Sequence, residues 1–375
     1  MKSFTTTIPE PPLKNGKIDT NPDLILSSYN YELPQELIAQ RPSESRDRSR
    51  LMVLRRNGGA VEHRLFENII EYINAGDCLV INRTKVIPAR LFGRKETGGR
   101  VEALFLSPPA TPSTGDTRLA ALLRPSLAVG KKIIFPGNLT AVVADKTATG
   151  ESVLSISGAD AHETLLAHGL MPLPPYIKRK TGCQQLLCGE DKQRYQTVYA
   201  DRAGSIAAPT AGLHFTDGLL ERIRDKGVDI VHVVLHVGWG TFKPVTSDNV
   251  QSHRMLPERY EVPRQTISAI RACRARGGRV FSVGTTSTRT LETVFAAPLE
   301  NDAAEAVSGE TSIFIHPGHR FNAVDGLITN FHLPHSTPLL MASAFAGRAA
   351  ILAAYAEAIK EKYRFYSYGD AMLIL

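Results

Sequence analysis

Short apolar runs follow one another between residues 91 and 157 with no helical pattern among them, and this stretch constrains the fold more than any other feature. Turns rich in Pro, Gly, Thr and Ser separate the runs. Closely spaced strands of this kind are typical of a small antiparallel barrel. The runs occupy residues 101–106, 119–123, 131–135, 139–144 and 153–156. We therefore predict a β-barrel domain over residues 91–171.

Apolar strands alternate with helical patterns on both sides of this stretch, which is typical of an α/β domain. The fold class predicted is therefore α/β (α+β): a discontinuous main domain, residues 31–90 and 172–375, with an inserted small antiparallel β-barrel domain. Residues 1–30 are polar and proline-rich and are predicted to be an N-terminal extension. Strands are predicted at 51–54, 61–65, 78–81, 228–235, 279–283, 312–315 and 326–328, and helices at 66–73, 161–168, 217–226, 263–276, 287–295, 337–346 and 349–360.

The sequence favours a cytoplasmic protein without a membrane span. No apolar run approaches the roughly 20 residues that a bilayer requires, and no apolar stretch follows Lys2 as a secretory signal would require. Four cysteines in 375 residues are too few for a disulfide scaffold. Because Cys183 and Cys188 lack a partner pair, no metal site is predicted. The chain is expected to be a monomer.

Positive charge is concentrated in two arginine clusters. Lysine and arginine outnumber aspartate and glutamate by 44 to 37, a net charge of +7. Because the guanidinium fork matches phosphate oxygens, both clusters could bind a nucleic-acid backbone, while the alternative for each is a solvated helix face. The residues predicted to contact nucleic acid are Arg46, Arg48 and Arg50 in the first cluster and Arg271, Arg274 and Arg276 in the second.

Small and polar residues gather at four places beside predicted strands or helices, namely residues 204–216, 235–242, 327–334 and 363–370. Small side chains allow close approach by a ligand, and a helix N-terminus offers unpaired N–H groups. Three of these segments carry a histidine: His214, His236 and His332. Neither the Gly-x-Gly at 238–240 nor the Gly-Thr-Thr at 284–286 has the context of a nucleotide-binding loop. The pattern indicates a shared site built around the histidines.

The ordered motifs of the chain resemble the S-adenosylmethionine:tRNA ribosyltransferase-isomerase family of queuosine biosynthesis. The resemblance begins at Tyr31, covers nearly everything after it and is loosest between residues 93 and 170. The chain departs from the family pattern at Arg83, Trp239 and Leu256. The motifs include Arg-Tyr-Gln-Thr-Val-Tyr at 194–199, Ala-Ala-Pro-Thr-Ala-Gly-Leu-His-Phe-Thr at 207–216, Val-Gly-Thr-Thr-Ser-Thr-Arg at 283–289, Leu-Ile-Thr-Asn-Phe-His-Leu-Pro at 327–334 and Phe-Tyr-Ser-Tyr-Gly-Asp-Ala-Met at 365–372.

The resemblance implies that S-adenosylmethionine donates its ribosyl portion and is consumed as a substrate, with no metal or redox cofactor. The acceptor implied is 7-aminomethyl-7-deazaguanine (preQ1) at the wobble position of a tRNA. The products would be epoxyqueuosine in tRNA, adenine and methionine. Because a sulfonium acidifies the adjoining ribose carbon, a neutral histidine could remove a proton from it.

Roles for individual residues follow from the motifs and the resemblance as hypotheses. His214 or His236 is the expected base, and Asp77 and Asp370 are candidates for orienting a histidine or holding the acceptor ammonium. Thr210, Asn330 and His332 are expected to hold the ribose and adenine. The other predicted contacts to S-adenosylmethionine or preQ1 are Gly212, Gly238, Thr285, Thr286 and Arg289.

Two other functions stay open at this point. A tRNA methyltransferase using S-adenosylmethionine would produce S-adenosylhomocysteine, and it would be expected to carry an acidic residue at a strand end, which the sequence does not show. A non-catalytic RNA-binding protein would explain the arginines. That function would leave the clusters near Thr210, His236 and Asn330 without a purpose.

Overall fold

The structure is a computed structural model that describes residues 21–56, 58, 60–109, 117–179, 184–242, 245–296 and 306–375. At residues 184–188, 241 and 242 only the backbone is described. Of the predicted N-terminal extension, residues 1–20 lie outside the described residues. The rest of it packs on the main domain, where Tyr29 is fully buried and Asp23 pairs with Arg348 at 2.7 Å.

The described strands form a large mixed sheet, a barrel and a short two-stranded ladder. The strands are β1 (Arg50–Leu54), β2 (Glu62–Leu65), β3 (Cys78–Asn82), β4 (Thr84–Val86), β5 (Arg90–Lys95), β6 (Arg100–Phe105), β7 (Thr117–Arg124), β8 (Lys132–Ile134), β9 (Leu139–Lys146), β10 (Ser152–Gly158), β11 (Arg202–Ser205), β12 (Asp229–Leu235), β13 (Glu258–Val262), β14 (Val280–Val283), β15 (Val307–Thr311), β16 (Gly326–Asn330) and β17 (Ala371–Ile374). The α-helices are α1 (Ala161–His168), α2 (Gln184–Arg194), α3 (Asp217–Asp225), α4 (Arg264–Ala275), α5 (Gly284–Val294), α6 (Thr337–Ala346) and α7 (Arg348–Lys360).

The large sheet has the order β15-β13-β12-β3-β14-β16-β17-β1-β2. Its centre, β12, β3, β14 and β16, is parallel, so the carboxyl ends of these strands meet at one edge. Every residue of β3 is buried, as expected for a strand covered on both faces. The strands of the large sheet come from chain segments before and after the barrel. The predicted fold class, mixed α/β with an antiparallel barrel, is confirmed, and the domain boundaries stay predictions.

The barrel closes in the order β10-β7-β6-β5-β8-β9, and all its described pairings are antiparallel. Alternate residues of β6 point inward, so Val101, Ala103 and Phe105 are buried while the residues between them are not. The ladder of β4 and β11 lies between the barrel and the main sheet in sequence. The main domain and the barrel therefore have separate apolar cores.

Several predicted elements differ from the observed ones. The predicted helix at 66–73 is a 3₁₀ helix, Phe66–Glu71, whose Asn68 side chain accepts the N–H of Leu65. The strand predicted at 312–315 lies instead at Val307–Thr311, where it pairs with β13. Helix α5 begins three residues earlier than predicted, because Gly284 at φ +83° turns directly from β14 into the helix. The elements β4, β11, β13, β17 and α2 were not predicted.

No single helix within the described ranges is long and apolar enough to cross a membrane. Helices α6 and α7 reach that length and composition only when they are taken together, and they are bent by 115° relative to each other.

Candidate active site

A cavity of about 430 Å³ opens at the carboxyl ends of the parallel strands, where open α/β sheets bind ligands. The first turn of α5 contributes Thr285 and Thr286 to it, and the end of β16 contributes Thr329 and Asn330. The 3₁₀ helix Thr210–His214 contributes Thr210. The structure therefore brings together residues from three motifs that are far apart in sequence.

The lining of this cavity is neutral and partly aromatic. Among the described residues that line it there is no Asp, Glu, Lys or Arg. One wall carries Tyr176 and Tyr366, whose ring centroids are 4.4 Å apart at an interplanar angle of 31°. Such a wall suits the planar, uncharged surface of a nucleobase.

A hydrogen-bonded chain beneath the cavity runs from His214 through Asn330 to Thr210. The Asn330 amide N–H contacts His214 Nε2 at 3.0 Å, and Thr210 Oγ1 donates to Asn330 Oδ1 at 2.9 Å. His214 Nδ1 lies 2.6 Å from Ser49 Oγ, which itself donates to the Arg46 carbonyl, so Nδ1 carries the proton. The chain fixes the orientation of the Asn330 amide, which lines the cavity.

His214 itself is buried and stacked on Phe66, with ring centroids 5.0 Å apart. Burial is the main cause that lowers the pKa of His214 to about 3, with Arg364 and Arg46 adding to it. The histidine is therefore neutral at pH 7, and protein groups occupy both of its ring nitrogens. This arrangement favours a positioning residue over a base that contacts the substrate.

His236 has a more open environment. Its Nδ1 lies 2.8 Å from Thr84 Oγ1, and Nε2 makes no hydrogen bond to another described residue. Burial lowers the pKa of His236 below its ordinary value, Arg202 and Arg259 lower it further, and Glu261 opposes them. The next residue, Val237, lines the cavity. A neutral imidazole with an open nitrogen is what a general base requires.

His332 lines the cavity and is held in place on several sides. Its Nε2 lies 2.6 Å from Thr329 Oγ1, its backbone N–H donates to Tyr355 Oη at 2.9 Å, and its carbonyl accepts the hydroxyl of Tyr31. Burial lowers the pKa of His332 to about 3. It is therefore a neutral hydrogen-bonding group at the cavity wall, which suits contact with a sugar hydroxyl.

Gly204 is required for the placement of His236. A Cβ at position 204 would lie 2.6 Å from Cε1 and 2.7 Å from Nδ1 of the His236 ring. We expect Gly204→Ala to displace the imidazole from Thr84 and to lower the rate of the reaction that the resemblance implies, measured as adenine release, by about tenfold or more, since small misplacements of catalytic groups are costly. Single-turnover assays with Gly218→Ala as the control would measure this, because a Cβ at Gly218 meets nothing within 4 Å. An unchanged rate in Gly204→Ala would contradict the role given to the ring.

The remaining predicted contacts lie around these histidines. Gly212 packs against Tyr199, whose hydroxyl would lie 2.1 Å from a Cβ at that position. The Gly238 N–H donates to Glu258 Oε1 at 2.8 Å, and the other oxygen of Glu258 pairs with Arg289. Arg289 is 5% exposed and donates to the Ile313 carbonyl at 3.1 Å, so protein groups engage its guanidinium. It is placed to hold the Gly238 loop against α5.

The structure does not bring Asp77 or Asp370 to the cavity. Asp77 precedes β3 at the amino end of the sheet, roughly 16 Å from Asn82 at about 3.3 Å per residue. Its carboxylate there pairs with Arg279 at 2.9 Å. Asp370 accepts the backbone N–H groups of Arg50 at 3.0 Å and Arg364 at 2.8 Å. Both carboxylates are used by the protein to fix chain connections.

Most of the predicted tRNA-binding arginines make contacts within the chain. Arg46 donates to the Leu213 carbonyl at 3.0 Å, and the guanidinium of Arg50 lies 3.7 Å from the centre of the Tyr363 ring. Arg274 donates to the Asn322 carbonyl, and Arg276 pairs with Asp229 at 2.5 Å. Arg48 is exposed and pairs with Glu67, and Arg271 is exposed on α4. Helix α4 ends at the amino edge of the sheet, away from the cavity, so the two clusters do not form one surface beside it.

Sequence reasoning missed Tyr176, Tyr195 and His335 as cavity residues. Tyr176 lies in the proline-rich segment after the barrel, and Tyr195 lies in the Arg-Tyr-Gln-Thr-Val-Tyr motif, in which no site residue was predicted. Within the described ranges no three His, Cys, Asp or Glu side chains come together in a way that could hold a metal ion. The expectation that the protein needs no metal or cofactor stays a prediction.

A parallel sheet with a neutral, partly aromatic cavity at its strand ends is the arrangement of an α/β protein with a small-molecule site at that edge. The model of the queuosine biosynthesis protein family matches residues 26–374, so the chain belongs to that family. The family resemblance of the sequence motifs is thereby confirmed.

Several relatives of nearly the same length carry the name of an enzyme. A Pelotomaculum thermopropionicum protein named S-adenosylmethionine:tRNA ribosyltransferase-isomerase is 52% identical over 355 residues, covering 93% of this chain and 99% of that protein. A Moorella thermoacetica protein of the same name is 51% identical over 356 residues, with the same coverage of 93% and 99%. The crystal structure of S-adenosylmethionine tRNA ribosyltransferase from Thermotoga maritima is 37% identical and superposes with a TM-score of 0.52, covering 92% of this chain and 99% of that one.

Proposed function

We propose that this chain is an S-adenosylmethionine:tRNA ribosyltransferase-isomerase that transfers and isomerises the ribosyl group of S-adenosylmethionine onto preQ1 at the wobble position of a tRNA. The observation that carries the proposal is the 52% identity to a protein of that name over 93% of this chain. The products would be epoxyqueuosine in tRNA, adenine and methionine. The proposal includes a cytoplasmic monomer that consumes S-adenosylmethionine as a substrate and uses no other cofactor.

The cavity supports the binding of S-adenosylmethionine. Its volume of about 430 Å³ falls in the range of about 300–1,000 Å³ typical of small-molecule sites. The tyrosine wall offers a surface for adenine, while Thr210, Asn330 and His332 offer neutral donors and acceptors to the ribose. Since the described lining holds no carboxylate, no side chain there neutralises the sulfonium, and its acidifying effect on the adjoining ribose carbon is retained.

His236 is the proposed base. It would remove a proton from the ribose carbon bonded to the sulfonium, and the electron pair left there would expel the ring oxygen from the next carbon. That oxygen would form an aldehyde at the anomeric carbon and expel adenine, which takes up a proton. The tRNA amine would then add to the new carbon–carbon double bond and lose a proton, the carbon bonded to sulfur would close a ring on the aldehyde, and the alkoxide so formed would displace methionine to give the epoxide. His214 cannot take the first proton in this geometry because both of its ring nitrogens are already hydrogen-bonded. Its proposed part is to hold Asn330, and through it Thr210, against the substrate.

The described strand ends at the cavity do not favour a methyltransferase. β3 ends at Asn82 and β16 ends at Asn330, and no acidic side chain lines the cavity among the described residues. Incubation of S-adenosylmethionine with tRNA carrying preQ1, followed by chromatography, tests the proposal directly. Adenine and methionine in equal amounts are the expected products. S-adenosylhomocysteine would indicate a methyltransferase, and unconsumed S-adenosylmethionine would indicate a non-catalytic RNA-binding protein.

Salt dependence tests the proposed tRNA contacts of the arginines. If all six bind phosphates, each neutralised residue lowers the slope of log affinity against log salt by about one. Both arginines are paired with a carboxylate, but Arg276 also donates to the Gly76 carbonyl at 2.9 Å and is less exposed than Arg48, so we expect Arg48→Gln to reduce the slope more than Arg276→Gln does. Filter binding from low to moderate salt gives the slopes. An unchanged slope in both variants would assign these arginines to solvated surface and intramolecular contacts.

A further inference from the structure

The amino end of α5 opens into the cavity without a capping group. The helix has 11 residues, follows β14 through Gly284, and has no side-chain cap on its N-cap residue Val283. The backbone N–H groups of Thr285 and Thr286 donate to no described residue. Unpaired first-turn N–H groups and the helix dipole together give a site with about half a positive charge. Thr285 and Thr286 line the cavity, so this site faces the ligand.

The position of this helix end is fixed by the sheet. The side-chain amide of Asn82, at the end of β3, donates to Thr286 Oγ1 at 3.2 Å and to the Leu235 carbonyl at 3.0 Å. The same side chain accepts the Leu235 N–H at 3.2 Å. One buried amide therefore ties β3, β12 and the first turn of α5 together. The N–H groups are preorganised and pay no ordering cost on binding a ligand.

A second observation points independently to a polar ligand in the cavity. Tyr195 is fully buried and lines the cavity, and its hydroxyl lies near Ser367 and the Ala208 backbone but makes no hydrogen bond within 3.5 Å to a described residue. His335 Nε2, on another cavity residue, is likewise buried without a partner, and this residue holds a left-handed backbone at φ +58°. Buried unpaired donors are costly, so a ligand group that accepts from them is expected. Strained non-glycine backbone is also concentrated at ligand sites.

We propose that the amino end of α5, with the Tyr195 hydroxyl, binds the carboxylate of the methionyl part of S-adenosylmethionine. This inference rests on the proposed function and adds an anion subsite to it. The substrate carries one carboxylate, and among the described lining residues no Lys or Arg is available to pair with it. Helix N–H groups and a neutral hydroxyl are then the complementary donors.

The test compares two ligands on variants of one helix position. S-adenosylmethionine and its decarboxylated analogue differ by the carboxylate, and calorimetry gives the affinity of each. Thr285→Asp places a negative charge in the first turn, where it favours the helix but repels a bound carboxylate. Thr285→Asn is the neutral control of similar shape. We expect Thr285→Asp to lower the affinity for S-adenosylmethionine at least tenfold and the affinity for the decarboxylated analogue less than threefold. Thr285→Asn should bind both ligands with nearly the wild-type affinity.

Tyr195→Phe tests the second donor, and Tyr368→Phe is its control because the Tyr368 hydroxyl donates to Asp191 at 3.0 Å and does not line the cavity. A hydrogen bond to a charged group predicts a loss of about tenfold for S-adenosylmethionine in Tyr195→Phe and little loss for the decarboxylated analogue. Equal weakening of both ligands in Thr285→Asp and Tyr195→Phe, or no weakening of either, would overturn the subsite.

Failure of the subsite is distinguishable from failure of the proposed function. If the wild type releases adenine but the variants weaken the binding of both ligands equally, the subsite is refuted and the proposed function stands. If the variants weaken the binding of S-adenosylmethionine alone but the wild type releases no adenine, the ribosyltransferase reaction is refuted and the carboxylate subsite stands. A wild-type protein that binds neither ligand overturns both.

Discussion

Replacement of His236 by Gln is expected to slow adenine release by about 10²–10⁴-fold, the usual contribution of a general base, with little change in S-adenosylmethionine affinity. The reason is that Nε2 of His236 makes no hydrogen bond to another described residue, and the next residue, Val237, lines the cavity. His214 is fully hydrogen-bonded, and burial lowers the pKa values of His214 and His332 to about 3. Single-turnover assays of adenine release in the presence of tRNA measure the rate, and calorimetry measures the affinity for S-adenosylmethionine. The rate should fall while the affinity changes little.

The pH dependence of the same reaction gives a second measurement. Because burial lowers the pKa of His236 below its usual value near 6.5, the neutral, proton-accepting form persists to lower pH. The rate is therefore expected to be constant from pH 8 to 6.5 and to decrease only at a pH below 6.5, where His236 becomes protonated. Arg202 and Arg259 contribute to the lowering, so Arg202→Gln should move the acid limb to higher pH. A level profile down to pH 4 in the wild type would contradict a histidine base at this position.

His214→Gln is the matched comparison. As a positioning residue, His214 acts through Asn330, so its loss should weaken S-adenosylmethionine binding and leave the acid limb of the rate profile where it is. Full turnover in both single variants would end the assignment of either histidine. A shift of the acid limb in His214→Gln alone would assign the base to His214 instead.

The spacing of apolar residues along the chain predicted the architecture because it reflects which side chains are buried. Alternating runs between residues 91 and 157 have one face in the barrel core, and the continuous apolar run of β3 is buried on both faces. Strands near the margin of the sheet, such as β13 beside the edge strand β15, carry less of this signal. β13 has only Glu258 and Val262 buried, so its register with β15 depends on distant chain segments that no local pattern encodes. Helix α5 was placed too late because its first turn follows from the left-handed Gly284 and carries no capping side chain.

The candidate site was predicted in part for the same reason. Polar residues directly after buried strands, such as Asn330, do meet at one edge because parallel strands share a direction. Asp77 was misplaced because it precedes its strand, which puts it at the opposite edge beside Arg279. Whether a charged residue is already paired depends on partners 200 residues away, as with Arg276 and the Gly76 carbonyl. The sequence gives no local indication of such pairing.

Loss of one partner of the Arg289–Glu258 pair is expected to destabilise the main domain strongly. Arg289 is 5% exposed and Glu258 is 5% exposed, so Glu258→Gln leaves a buried guanidinium without its counterion. Breaking a buried pair in this way costs ~3–5 kcal/mol of unfolding free energy. The Gly238 N–H loses its carboxylate acceptor in the same change, so the loop after His236 should loosen and adenine release should fall as well.

Urea unfolding of three variants separates this pair from ordinary surface charge. Glu310→Gln removes the partner of Arg259 in an exposed pair at 3.4 Å and should cost less than about 1 kcal/mol. Glu258→Leu combined with Arg289→Met removes both charges and should recover a large part of the stability lost in Glu258→Gln, because no unpaired ion stays buried. If Glu258→Gln costs no more than Glu310→Gln, the pair does not hold the Gly238 loop against α5. A double variant as unstable as Glu258→Gln would instead show that the hydrogen bonds to Gly238 and Ile313, rather than the charge pairing, stabilise this region.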